Sequence, residues 1–189
     1  MLMRNISIGL VLLAALYACS SAPQPKAVTA SGGSVVTLKN AELTFPKGTT
    51  FSWSEAASHF YDDERIDDAR IREALGQAIK SNLKERGYRV VDTDGDYEIA
   101  FVTALAGSLS DMEINKRFGV NPGMLGDSSD TNAYDKGTVI ADVIDPTSGE
   151  SLWRSALQAY VVFDLEEAVR KERIEKAVTR LFGSFPVAQ

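Results

Sequence analysis

The chain has 189 residues, a formal net charge of minus 6 and a single cysteine, Cys19. That acidic balance argues against nucleic acid or anionic headgroups as main partners, since both need a basic patch, and a lone cysteine excludes an intramolecular disulfide. The length suits one hydrophobic core of ordinary size, held together by packing alone.

Met1 to Asn5 carries one positive charge, Arg4, and Ile6 to Leu16 has no charged residue. This matches the ~7–15-residue apolar core of a signal peptide and falls short of the ~20 residues of a spanning helix. Leu16-Tyr17-Ala18-Cys19 reads as a bacterial lipoprotein cleavage and acylation site, with Tyr17 departing from the usual small residue. Residues 1–18 are therefore expected to be a signal peptide, and Cys19 the lipidated first residue of the mature chain. Loss of Arg4 with the signal takes the formal charge from minus 6 to minus 7. Each buried CH2 of an acyl chain such as palmitate contributes about 0.8 kcal/mol of membrane affinity, and two chains anchor stably where one is marginal. Ser20 resembles the sorting pattern of outer-membrane lipoproteins, which places the domain on the periplasmic side. The competing reading is a secreted protein whose cysteine is incidental or a buried thiol. Residues 19–42, rich in Ser, Ala, Pro, Gly and Thr, are expected to form a flexible tether with a span of roughly 25 Å. Val35, Val36 and Leu38 alternatively form an edge strand.

The single domain is expected over 43–189. Leu43 and Phe45, then Phe51 and Trp53, alternate with polar residues, and Thr49 to Ser54 reads as a short edge strand. Ile71, Leu75, Ala78, Ile79 and Leu83 recur at helical spacing behind the acids Asp67 and Asp68, and Gly87 offers the left-handed stop. Tyr88 to Val91 is extended. Asp92 to Asp96 is a turn, whose calcium-binding reading lacks the glycine and terminal glutamate of an EF-hand loop. Tyr97, Ile99, Phe101 and Thr103 then mark a second strand. Residues 104–135 are the least patterned stretch, although Ser110 and Glu113 form a capping box for a short helix, Asp111 to Arg117, stopped by Gly119.

Gly137 to Asp145 and Ser151 to Tyr160 read as a hairpin. An Asp142–Arg154 pair across it sets a register in which Val139, Ala141 and Val143 share a face with Trp153, Ser155 and Leu157. Ile140, Ile144 and Leu152 then lie on the other face beside Asp142 and Arg154. That apolar face needs a cover: the 104–135 segment, a neighbouring subunit or a partner protein, for which these five residues are the candidate surface. A last helix spans about Leu165 to Phe182, capped by Asp164 with Glu167 at its third position. The order of elements predicts an α/β (α+β) fold, a two-layer sandwich with two helices on one face of a mainly antiparallel sheet.

Phe51 and Trp53, the helix ending in Gly87-Tyr88, Asp96 before an apolar strand, Gly137-Thr138-Val139, Trp153-Arg154 and the closing Phe185-Pro186 form an ordered set. With the lipoprotein signal, this set resembles the envelope lipoproteins of domain-of-unknown-function family 4136, over roughly Phe51 to Pro186. The resemblance implies location and fold but no catalytic residues. Two departures stand out: Met112 to Val120 has no counterpart, and Ser155 follows Trp153-Arg154 where the family often has glycine.

The side chains supply no recognisable catalytic set and no cofactor or metal motif. His59, the only histidine, sits near Asp62 and Asp63 and supports a hydrolase reading only if those acids serve it. Trp153 and Arg154 read either as a partner or glycan platform or as a core residue and an ion-pair member. The sequence thus points to a noncatalytic, lipid-anchored periplasmic domain that binds another envelope component. The alternative is a small-ligand or lipid-binding module using the space between sheet and helices.

Overall fold

The computed structural model describes residues 33–39, 42–61, 63–105, 107–122 and 135–189. Cys19, the signal segment, Asp62 and the turn-rich residues 123–134 lie outside them. The described elements are β1 (Ser34–Lys39), β2 (Thr50–Trp53), β3 (His59–Phe60), α1 (Asp68–Glu85), β4 (Arg89–Val90), β5 (Tyr97–Leu105), α2 (Asp111–Phe118), β6 (Asp135–Ile144), β7 (Ser151–Val161) and α3 (Glu167–Leu181). The strands form one sheet in the order β1-β7-β6-β5-β2-β4, with β3 also paired to β5.

Half of this sheet departs from the antiparallel expectation. β1, β7, β6 and β5 pair antiparallel, but β2 runs parallel to both β4 and β5, and β3 runs parallel to β5. Thr50–Trp53 is therefore an inner strand, not an edge. One edge is β1, so the strand alternative for Val35, Val36 and Leu38 is the one present, and the sheet begins inside the segment expected as tether. Ser155 ties that edge down: its hydroxyl lies 3.0 Å from Thr37 Oγ1.

The hairpin register is the expected one, with Asp142 opposite Arg154 and Val143 opposite Trp153. Because alternate residues of a strand face opposite ways, the sheet carries two separate cores. On one face, Ile99, Phe101, Ala141, Val143, Trp153 and Leu157 pack with Leu75, Ile79 and Leu83 of α1 and with Val178 and Leu181 of α3. On the other, Val102, Ala104, Ile140 and Ala156 are covered by Leu109, Ile114 and Val120, in and around α2. The two helices expected on one face are α1 and α3, but the sheet has a second covered face: the short helix read at Asp111 to Arg117 is α2, and it forms a third layer.

α1 starts where its acids require. Asp67 caps it through Arg70 N, and Gly87 follows with φ +90. α2 carries the full Ser110–Glu113 capping box and ends at Gly119 with φ +69. The expected cap of α3 is not formed. Its first turn follows Glu166, with no side-chain cap, because Leu165 N bonds to Phe163 O and keeps the chain in a turn past Asp164.

Arg86 locks the helices at the far end, donating to the carbonyls of Phe182 (2.7 Å) and Phe185 (2.6 Å). Tyr88 donates to Pro186 O at 3.1 Å. Asp96 performs a similar service for β2, accepting from Thr50 N and from Thr50 Oγ1, both at 2.8 Å. The backbone N–H first, and the hydroxyl second, hold its carboxyl below the usual 3.8. The stabilisation is therefore complete above 3.8 and fades as pH falls through the lower folded value. Thr50→Val, which removes the hydroxyl but keeps the N–H, is expected to raise the Asp96 midpoint part-way towards 3.8 in a carboxyl-carbon NMR titration. An unmoved midpoint would assign the depression to the backbone alone.

Candidate ligand cleft between sheet and helices

The residues expected to form an exposed docking face are mostly withdrawn from it. Ile140 is 2% exposed beneath α2. A bulge between Val143 and Ile144 leaves Leu152 without a partner on β6, and Leu152 packs on the α1–α3 side instead. The extra residue inserted by a bulge interrupts strict alternation, which is why the face assignment fails there. Ile144 is half-buried. The cover is intramolecular, as one of the three alternatives held.

Asp142 and Arg154 fasten that cover. Arg154 Nε donates to Asp142 Oδ2 at 3.0 Å, its Nη2 pairs with the same oxygen, and its Nη1 donates to Phe118 O at the end of α2 at 2.6 Å. At the other end of α2, Asp111 accepts from Gln158 Nε2 at 2.6 Å and lies 3.3 Å from Lys136 Nζ. Arg154→Ala leaves Asp142 half-buried with the Ser151 hydroxyl but no cation beside it, and frees the helix end. It is expected to cost about 2–3 kcal/mol and to speed amide exchange selectively in α2. Exchange that rises equally throughout the domain would contradict this pinning role.

Of the two acids that the hydrolase reading needs, Asp62 lies outside the described residues and Asp63 is engaged elsewhere. His59 is exposed on β3, its ring 4.9 Å from that of Tyr61. Asp63 is engaged by Arg65, whose side chain and then backbone N–H pull its carboxyl down to about 2. Both oxygens of that carboxylate are taken by Arg65, through Nε at 2.8 Å and Nη2 at 2.7 Å. Among the described residues no three His, Cys, Asp or Glu side chains are grouped to hold a metal ion. Trp153 is wholly buried, against Phe182 and Phe185, so the platform reading yields to the core reading.

What the structure adds is a cleft of about 360 Å³ between the helices and one end of the sheet. Its floor is apolar: Leu105 of β5, Val139 of β6 and Leu157 of β7. Its roof is Ile71 and Leu75 of α1 with Ile174 and Ala177 of α3. Gly137 keeps the floor open, since a Cβ there would stand 2.5 Å from Val161 Cγ2. The segments before α1 and before α3 approach each other at the rim, where Arg65 lies 4.6 Å over the Phe163 ring. A second, larger depression of about 700 Å³ runs between α1 and α3, lined mainly by charges of both signs such as Arg70, Glu73, Lys171 and Glu175. The apolar cleft is the better candidate, because pockets of ~300–1,000 Å³ with mostly apolar walls and a few polar groups are the usual small-molecule sites.

Sequence reasoning named the space between sheet and helices, and read Ile71, Leu75, Val139 and Leu157 only as apolar positions of a helix and a hairpin face. The profile described as Domain of unknown function (DUF4136) matches residues 35–187. The chain belongs to this family. The match begins within β1 and ends after α3, so the DUF4136 domain includes the edge strand and both cores. No curated protein matches the chain. Among solved structures, the PelC dodecamer from Paraburkholderia phytofirmans is similar at 12% identity and a TM-score of 0.45, over 83% of this chain and 99% of that one. A PDZ domain protein from Parabacteroides distasonis is similar at 14% identity and a TM-score of 0.48, over 83% of this chain and 36% of that one.

Proposed function

We propose that this DUF4136 protein is a noncatalytic, lipid-anchored domain of the bacterial outer membrane, facing the periplasm, that binds an apolar small molecule in the cleft. The cleft itself carries the reading, for it is an apolar space reaching between two helices and the sheet. The competing protein-docking reading rested on the outer hairpin face, most of which α2 and the bulge remove.

The anchor adds to this. Gly33, where the described chain begins, has its carbonyl bonded to Arg180 Nη2, and a Cβ on it would lie 3.3 Å from Ala159 Cβ. Both Arg180 and Ala159 line the cleft. Thirteen residues lie between Cys19 and Gly33, a chain length whose coil span is roughly 20 Å. An acylated Cys19 therefore keeps the cleft close to the membrane surface, where apolar ligands reside.

The test uses a fluorescent acyl-chain probe. Saturable one-to-one binding to the wild-type protein, lost in Ala177→Trp with the fold intact, is the expected result. Binding that is absent, or that survives the filled cleft, would overturn the reading. Labelling with a palmitate analogue, abolished by Cys19→Ser, checks the anchor separately.

A further inference from the structure

We infer that the ligand of the cleft is a single-chain amphiphile with an anionic head, seated against Arg170 and Arg173 of α3. This rests on the cleft being the binding site. The acidic balance of the whole chain argues against anionic partners, but the cleft reverses that balance locally. Six basic side chains line it, Arg65, Arg70, Arg170, Arg173, Lys176 and Arg180, against two acidic ones, Asp67 and Asp68.

These basic groups are not equivalent. Arg65 is paired with Asp63 and Asp135, Arg70 with Glu167, and Lys176 with Glu172. Arg170 instead donates through Nη2 to Leu165 O at 2.8 Å and Phe163 O at 3.4 Å. Arg173 donates through Nη2 to Tyr160 O at 3.0 Å. A carbonyl fixes a guanidinium in place without cancelling its charge, and each guanidinium has five N–H donors in a planar fork. Both side chains are half-buried, and a spacing of three residues puts them on one face of α3. The carbonyls they hold belong to the end of β7 and to the segment joining it to α3, so both cations are positioned before a ligand arrives. An incoming carboxylate or phosphate finds two oriented forks beside an apolar space, which is the arrangement that gives strong charge-assisted bonds. At about 360 Å³, the cleft lies at the small end of the ~300–1,000 Å³ range, which suits one acyl chain rather than two.

The experiment compares dodecanoate with dodecanol, two ligands of equal chain length, below micelle-forming concentrations and with the acid ionised. The protein is the mature chain, residues 19–189, carrying Cys19→Ser so that no acyl group of its own competes. Dodecanoate is expected to bind at least ten-fold tighter, with the preference retained in Arg173→Lys and mostly lost in Arg170→Gln/Arg173→Gln. The wild-type comparison stands even if the double variant fails to fold. Equal binding of the two ligands, or a preference unchanged in a folded double variant, would overturn the head-group assignment while leaving the cleft as a site. If neither ligand binds, the cleft reading itself falls.

Discussion

Replacing Trp153 by alanine is expected to lower the unfolding free energy by about 3–5 kcal/mol, measured by denaturant titration. The indole is fully buried at the junction of β7 with the end of α3, with ring centroids 5.1 Å from Phe182 and 4.9 Å from Phe185. The same aromatic cluster runs on through Phe185 to Phe45, Phe51 and Tyr88. A cavity there cannot be closed by one neighbour moving, because each ring is braced by several others. Trp153→Phe separates volume from polarity. Trp153 Nε1 is buried without a hydrogen-bond partner, a defect that costs about 1–3 kcal/mol. Phenylalanine removes that donor while keeping most of the ring contacts, so its net cost should stay within about 1 kcal/mol. A loss for Trp153→Phe as large as for alanine would show that shape alone governs the site.

Gly95→Ala is expected to be nearly as damaging, at about 3 kcal/mol. A Cβ at this position would stand 2.4 Å from Ser52 N, 2.8 Å from Phe51 C and 2.9 Å from Tyr97 O, all of them backbone atoms. No rotamer change relieves such a clash, so β2 must move away from β5. Two ties across this junction would go with it: Gly95 N to Ser52 Oγ at 3.2 Å, and the Asp96–Thr50 bonds. Gly149→Ala is the contrast. Its φ is +72, but nothing lies within 4 Å of the added Cβ, so only local backbone strain of about 1 kcal/mol applies. Equal losses at the two glycines would contradict the close-approach argument.

The elements legible in the sequence are those whose signals are local. α1 could be read from its spacing, the Asp67 cap and Gly87, and α2 from the Ser110–Glu113 box. The β6–β7 register followed from one opposite-charge pair combined with alternation. Thr49 to Ser54 and Tyr88 to Val91 could be read as extended, but their pairing, which depends on distant partners, escaped. β2, β3 and β4 are short strands of two to four residues, placed parallel to strands far along the chain, and such pairings leave no mark on a neighbouring turn. The bulge at Leu152 breaks a period that the sequence shows as regular. Asp164 has the composition of a helix cap but sits in a turn stabilised by the carbonyl of Phe163. The cleft was the least visible feature, because Leu75, Leu105 and Leu157 are ordinary core leucines. Only their shared failure to close the space at one end of the sheet makes a site. Arg170 and Arg173 look equally unexceptional on a helix whose surface is crowded with charges of both signs.

The two faces of the sheet divide the work. The α2 face is sealed by Ile114, Leu109 and Val120 and pinned by Arg154, and it contributes stability. The α1–α3 face is well packed around Trp153 and opens towards β5–β7 near Gly137, beside the start of β1. Packing quality thus falls off along one layer, and binding is proposed where it is weakest.

The most direct measurement is native mass spectrometry of the protein released from its own envelopes without added lipid. The expected spectrum of the wild type shows one amphiphile per chain beyond the mass of the anchor proposed at Cys19, and that extra mass is missing from Ala177→Trp isolated in the same way. A wild-type protein that emerges with no bound molecule, or a filled-cleft variant that keeps it, would contradict the account.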